Sequence, residues 1–537
     1  MKQSKPSLVV RTLALGFFAL TLFFTLFLSH NASASKLQQN SSQTLVLSGG
    51  ESTNPREYDP ATTHGSGNKM VYSGLVSFDP YLNLSPDLAE TWEVSADGTV
   101  YTFHLRENAK FHNGRAVTAE DIRYSLERAL SPALQSDTAL TYLGDILGAR
   151  EMASGNAASV SGIKVIDEHT LEITIDAPKP YFLLKLTYPT AFVVDKENVE
   201  SGEEWFRTLN GTGPFKMIEW IPFERISYTA NQDFYLDVPA IQNIVVELYS
   251  GVGVRLYEAG DIDMTGLHYY YADRFLNPAE SMHTEIVSGV DLCTAYAVFD
   301  VTQPPFDDVK VRQAFSKAFD RQKYIDIVKK GHALPAIGIF PPALPGFNIN
   351  LEGFPYNPEE ARRLLEESKY GGAENLPQII YTDMGIGSYV NTDVAAIVQM
   401  WEQTFDIEII VENLEPNFYY DQIYAGEHGQ IFRGGWCADY PDPENFADVL
   451  FHSGSAQNNG GYSNPELDSL LESARIEPDI MKRIAMYQEA EQIIVNDAPV
   501  LFTTHSLSYI LVKPYLKGYV FTPISVPIYR YMWLDGK

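Results

Sequence analysis

The chain has 537 residues, with 39 Lys and Arg against 69 Asp and Glu, a formal charge of −30 at pH 7. That length exceeds any single small core, so two or three lobes are expected; 45% hydrophobic and 20% charged residues fit a folded globular protein rather than a disordered one. The acidity opposes nonspecific attraction to nucleic acid or anionic membrane, and two cysteines exclude a disulfide-dense scaffold and a four-cysteine zinc site.

Residues 1–34 read as a secretory signal peptide. Lys2, Lys5 and Arg11 form a basic start, Thr12 to Leu28 is apolar, and Ala32-Ser33-Ala34 supplies small residues at cleavage spacing. An uncleaved anchor is the alternative, because the apolar run lies near the lower limit for spanning a bilayer. No cysteine lies near this segment to carry a lipid. The expectation is an exported, soluble protein in a periplasm or at the outer face of the cytoplasmic membrane.

After a polar tether at Lys36 to Ser42, Leu45 to Leu47 begins a strand that Gly49-Gly50 ends. Trp92 to Arg106 alternates around Ala96-Asp97-Gly98, a hairpin signal. A helix follows, with Thr118 as N-cap, Glu120 and Asp121 in its first turn, and Ile122, Leu126 and Leu130 at helical spacing. Ile163 to Ile175 forms a second hairpin. Gly211 to Phe215 turns into a strand over Lys216 to Trp220, and another strand covers Ile244 to Leu248. A short helix at Val254 to Ala259 and a turn at Gly260 to Asp263 lead to a further strand. Beyond Asp308 a helical run extends from Val309 to Lys330. Helices over Pro358 to Ser368, Glu466 to Arg475 and Ile480 to Ile494 alternate with strands at Ile379 to Tyr381 and Ile407 to Val411, the order of a mixed α/β lobe.

No nucleophile elbow, metalloprotease motif or phosphate loop is present. Gly385-Ile386-Gly387 is an ordinary turn, the eleven histidines lack metal-ligand spacing, and carboxylates such as Glu107 and Glu120 cannot be placed across a bond from sequence. The densest unusual segment is RGGWCADYPDP, Arg433 to Pro443. Its glycines allow close backbone approach, and Trp436 and Tyr440 offer flat surfaces with a polar handle. Asp439 among these aromatics needs a cation, either Arg433 or the ammonium of a ligand. Cys293, in an apolar strand-like run, and Cys437 most simply pair in an exported chain; two buried free thiols are the alternative.

The segments LAETWEVSADGTVYTFHLRENAKFHNGRAVTAEDIRYSLERAL, GTGPFKMIEW, ANQDFY, YEAGDIDM, LCTAYAVFD, PPFDDVKVRQAFSKAFDRQKYIDIVKKG, RGGWCADYPDP, NNGGYSNPELD and LVKPYLKGY occur in this order. Together they resemble the extracellular solute-binding proteins of family 5, in its oligopeptide-binding branch. The resemblance implies an α/β fold: a two-lobed periplasmic-binding-protein clamp (type II, the large cluster C form) with an extra inserted α+β domain. Residues 35–75, 190–292 and 506–537 would form lobe I, 76–189 the inserted domain II, and 293–505 lobe III. Hinge crossovers would lie near 290–294 and 500–508.

The implied function is the peptide-binding component of an ABC importer. It would work with permease subunits in the cytoplasmic membrane, as a monomer, without cofactor, metal or nucleic acid, and without catalysis. By resemblance, Asp439 would pair with the peptide α-ammonium, and Cys293 and Cys437 would form the disulfide beside the ligand strand. Trp436 would wall a side-chain pocket, and Arg433 and Lys329 would meet the peptide carboxylate at different ligand lengths. The pattern is broken at Asp291 and Gly266, where the family carries aromatics, near Pro416, and at Tyr424, which aligns with an arginine. The backbone grip is thus expected to be kept and the side-chain pockets rebuilt. A metal chelate, an oligosaccharide or a signalling peptide on the same fold is the alternative ligand. A secreted hydrolase is the alternative activity.

Overall fold

A computed structural model describes residues 43–49, 57–62, 68–248, 250–385, 387, 389–416, 418–524 and 528–537. The expected signal segment and tether lie outside these residues. An eleven-stranded sheet organises the molecule. Its spatial order is Ile409–Leu414, Ile379–Met384, Ile431–Cys437, Ile286–Phe299, Val500–Val512, Met264–Gly266, Thr44–Ser48, Asn243–Glu247, Arg225–Ala230 and Phe215–Ile221, with Ala333–Pro335 pairing Val500–Val512 off that path.

Two long antiparallel strands, Ile286–Phe299 and Val500–Val512, connect the halves of this sheet. At one end Val500–Val512 pairs Met264–Gly266; at the other Ile286–Phe299 pairs Ile431–Cys437. Between them the ladder breaks: Val290 faces Leu507 and the next pair is Thr294 with His505. Asp291, Leu292 and Cys293 fall in that gap. Each half then has its own apolar core. One contains Leu45, Ile226 and Ile244. The other half contains two, around Phe299, Phe315 and Trp401 and around Phe446, Leu467 and Tyr487.

A separate four-stranded antiparallel sheet runs in the order Ala89–Val94, Val100–Leu105, Thr170–Thr174 and Ile163–Asp167. The two hairpins read from the alternation are its halves. Helix Ala119–Ala129 packs on it, burying Ile122 and Leu126 with Phe103 and Ile173. Its start follows the sequence signal: the Thr118 N–H donates to Asp121 Oδ2 at 2.9 Å, so a first-turn carboxylate satisfies an orphan donor.

The run after Asp308 departs from expectation. It is two helices, Val309–Lys317 and Arg321–Ile327. Asp320 interrupts it by capping the second helix, its Oδ1 accepting the Lys323 N–H at 3.0 Å. Such a side chain offers the backbone an alternative to continuing the first helix. The break also lets Arg321 donate to the Phe502 carbonyl at 2.8 Å, tying this corner to the long strand.

Candidate functional site

Strand Ile431–Cys437 lies beside Ile286–Phe299 with Cys293 opposite Cys437, Thr294 opposite Trp436 and Tyr296 opposite Gly434. The two cysteines are disulfide-bonded, with Cα atoms 4.0 Å apart, and enclose 144 residues of sequence separation. Of the two states left open for them, the paired one is found. Gly434 is required by this packing, because a Cβ there would fall 2.4 Å from the Tyr296 ring.

The other side of the strand is different. Its parallel neighbour Ile379–Met384 reaches only Ile431 and Phe432. Along Arg433 to Cys437 that second edge has no strand partner among the described residues. It borders a cavity of about 640 Å³. Cys293, Lys329, Arg433, Trp436 and Cys437 line this cavity together, so five of the six expected site residues converge on it. Tyr269, Tyr296, Tyr324, Tyr381, Tyr419 and Tyr424 line it too, which makes its walls aromatic with hydroxyl tips.

Asp439 does not line that cavity. It stands two residues beyond the strand, in a polar nest the sequence did not reveal. The Tyr142 hydroxyl donates to Asp439 Oδ2, and Tyr142 is stacked on Tyr188 with ring centroids 3.7 Å apart. Asn445, fully buried in helix Glu444–Phe451, ties the segment together. Its Oδ1 accepts the Asp439 N–H at 2.9 Å and Trp436 Nε1 at 3.2 Å. Both tyrosine hydroxyls are pushed above their ordinary range, first by burial and then by the Asp439 charge. Burial lowers the pKa of the Lys69 ammonium while the Asp439 charge opposes that shift, so the Lys69 cation feels this carboxylate.

Arg433 is not the ion-pair partner of Asp439. Its guanidinium lies 3.8 Å from Asp383 Oδ1. Lys329 donates to Asp393 Oδ2 at 2.6 Å. Neither Asp383 nor Asp393 carried a sequence signal, since both reach the site through tertiary packing.

Among the departures, Asp291 is buried in the ladder gap and accepts from the Ser508 hydroxyl. Tyr424 lines the cavity and donates to Gln457 Oε1 at 3.1 Å. Among the described residues, no cluster of three or more His, Cys, Asp or Glu could hold a metal ion, and no helix is long and apolar enough to cross a membrane.

A family model described as bacterial extracellular solute-binding proteins, family 5 Middle, matches residues 83–458. The periplasmic oligopeptide-binding protein OppA of Salmonella typhimurium is 31% identical over 496 residues, covering 89% of this chain and 90% of that protein. Among solved structures, the murein tripeptide binding protein MppA of Escherichia coli superposes with a TM-score of 0.82 at 27% identity, covering 93% of this chain and 99% of that one. Haemophilus influenzae OppA in complex with the peptide RPPGFSPFR gives 0.80 at 26% identity, over 92% and 99%. These neighbours share the two-lobed α/β clamp.

Proposed function

The chain belongs to the bacterial extracellular solute-binding proteins of family 5, and from that premise we propose that it captures peptides outside the cytoplasmic membrane for an ABC importer. The observation that carries this reading is the strand edge from Arg433 to Cys437, which has no strand partner among the described residues, is backed by a disulfide and ends near Asp439. An extended peptide can add to such an edge, and backbone pairing gives affinity independent of side-chain sequence. The strand edge is fixed on its far side by the Ile286–Phe299 ladder, so little ordering is left for the ligand to impose.

In this reading Asp439 receives the peptide α-ammonium, with Tyr142 and Asn445 orienting its carboxylate. A charge-assisted bond of that kind contributes about 1.5–3 kcal/mol. Trp436 walls a side-chain pocket, Cys293 and Cys437 border the ligand strand, and Arg433 and Lys329 give the cavity the positive charge on the side of the peptide carboxylate.

Residues 35–75, 190–292 and 506–537 form lobe I, 76–189 the inserted domain and 293–505 lobe III. The hinge is the ladder gap at Asp291 to Cys293 with its partner near His505 to Leu507. Ligand contacts made on both sides favour the closed form because only that form makes them all. The closed protein then hands its peptide to membrane permease subunits. It works as an exported monomer with no catalytic step and no cofactor. Native mass spectrometry of freshly purified protein tests this: a retained mass whose fragments sequence as peptide is expected, and a retained glycan or metal chelate would overturn the peptide assignment.

A further inference from the structure

Two cations line the cavity, and each faces a carboxylate of this chain, but the two pairs are not equivalent. Lys329 Nζ hydrogen-bonds Asp393 at 2.6 Å and lies 5.4 and 5.6 Å from the centroids of the Tyr269 and Tyr324 rings. Its side chain is 16% exposed. Arg433 stands 3.8 Å from Asp383, beyond hydrogen-bond reach, with 42% of its side chain exposed. Asp383 itself is fully buried behind it.

Asp393 is held in place by its own backbone. It sits in the first turn of helix Thr392–Phe405, where Asn391 Oδ1 accepts the Asp393 N–H at 2.9 Å.

We propose that Asp393 is a specificity-determining residue: it neutralises Lys329 and leaves Arg433 as the receptor for the ligand's terminal carboxylate. Ligands are then selected by the length that brings their carboxylate to Arg433. This inference rests on the peptide reading above. A carboxylate docking at Lys329 would place two anions on one ammonium, and like charges at that distance oppose each other. Asp383, the carboxylate that faces Arg433, stands 3.8 Å away, beyond hydrogen-bond reach, and the planar guanidinium fork suits a carboxylate bidentately.

The test is titration calorimetry with oligoalanines from dipeptide to hexapeptide, each as free acid and as C-terminal amide. Wild type is expected to favour one length and to lose about tenfold or more on amidation of that peptide, the factor for one strong contact. Arg433→Met should erase the acid–amide difference. Asp393→Asn should raise affinity about tenfold for the acid of a second length, and Lys329→Met added to it should remove that gain. Asp393→Ser serves as a second variant, with thermal denaturation to show that each is folded. An unchanged length profile in both Asp393 variants, or an acid–amide difference that survives Arg433→Met, overturns the assignment of Asp393. If wild type binds no oligopeptide of any length, the peptide reading itself fails, and this inference with it.

Discussion

Glu491 shows what a single buried carboxyl does to this protein. It is 1% exposed, and its Oε1 accepts the Phe340 N–H at 2.8 Å. Gly338 makes room for it, because a Cβ there would fall 2.3 Å from that oxygen. Burial pushes the carboxyl up to about 8, against the pull of the Phe340 and Ile339 N–H groups. The folded state therefore holds a proton that the unfolded chain releases near its ordinary value of about 4.3. Stability tied to that proton is complete below about pH 4 and is lost as pH rises toward about 8. Glu491→Gln keeps an acceptor without the charge, so its Tm should exceed wild type by about 1–3 °C near pH 8 and match it near pH 4. Differential scanning calorimetry at both pH values checks this; a shift equal at both would contradict it.

At the same scale, the motif residues of the site were legible because they sit together in RGGWCADYPDP. Their partners were not. Tyr142 contacts Asp439 across 297 residues of sequence, and nothing local marks such a pairing. Whether Asp439 met Arg433 or another cation was open for the same reason.

Secondary-structure elements were legible where one face is solvated. Strand Val100–Leu105 of the first hairpin shows period-two burial, and helix Ala119–Ala129 shows its cap and its apolar stripe. The strand Val500–Val512 was harder to delimit. Its residues Val500 to His505 are all buried, and it pairs with three other strands, so it carries no alternation to read. Helix Thr392–Phe405 went unnoticed although Asn391 caps it. The disulfide is the device that fastens the cavity-lining strand to its neighbour. Replacing both Cys293 and Cys437 by Ser should lower stability by about 2–4 kcal/mol, the usual size for closing a long loop. Denaturant titration measures this, with wild type showing no titratable thiol in guanidinium without reductant. Two free thiols in that assay would contradict the bridge.

Across the whole molecule, the halves of the large sheet and the smaller sheet meet through polar contacts as well as through the two long strands. His332 Nε2 and Asp273 Oδ1 are 2.9 Å apart. Lys185 lies 2.9 Å from Asp145 and 3.0 Å from Glu444, all three nearly buried. That triad joins the smaller sheet's domain to the helix that carries Asn445, and so supports the nest around Asp439. Removing this buried cation costs Glu444 its ion-pair partner, while Asp145 keeps Lys179 at 2.7 Å, and a buried charge left without its partner is costly. Lys185→Met is therefore expected to cost about 3–5 kcal/mol of stability. The two long strands that join the halves of the large sheet carry a break in their ladder between Val290 and Thr294. Small-angle scattering should thus report a smaller radius of gyration with saturating peptide than without, and identical profiles would contradict ligand-driven closure.

Recognition of a peptide's charged amino terminus by Asp439 is what the functional account stands or falls on. The direct measurement is calorimetric titration of wild type and Asp439→Ala with one tightly bound oligopeptide and its N-acetylated form. Losing the carboxylate or the ammonium should each weaken binding by about tenfold or more, and losing both should cost little beyond either alone. Equal affinity of wild type for the free and acetylated peptides would contradict the account.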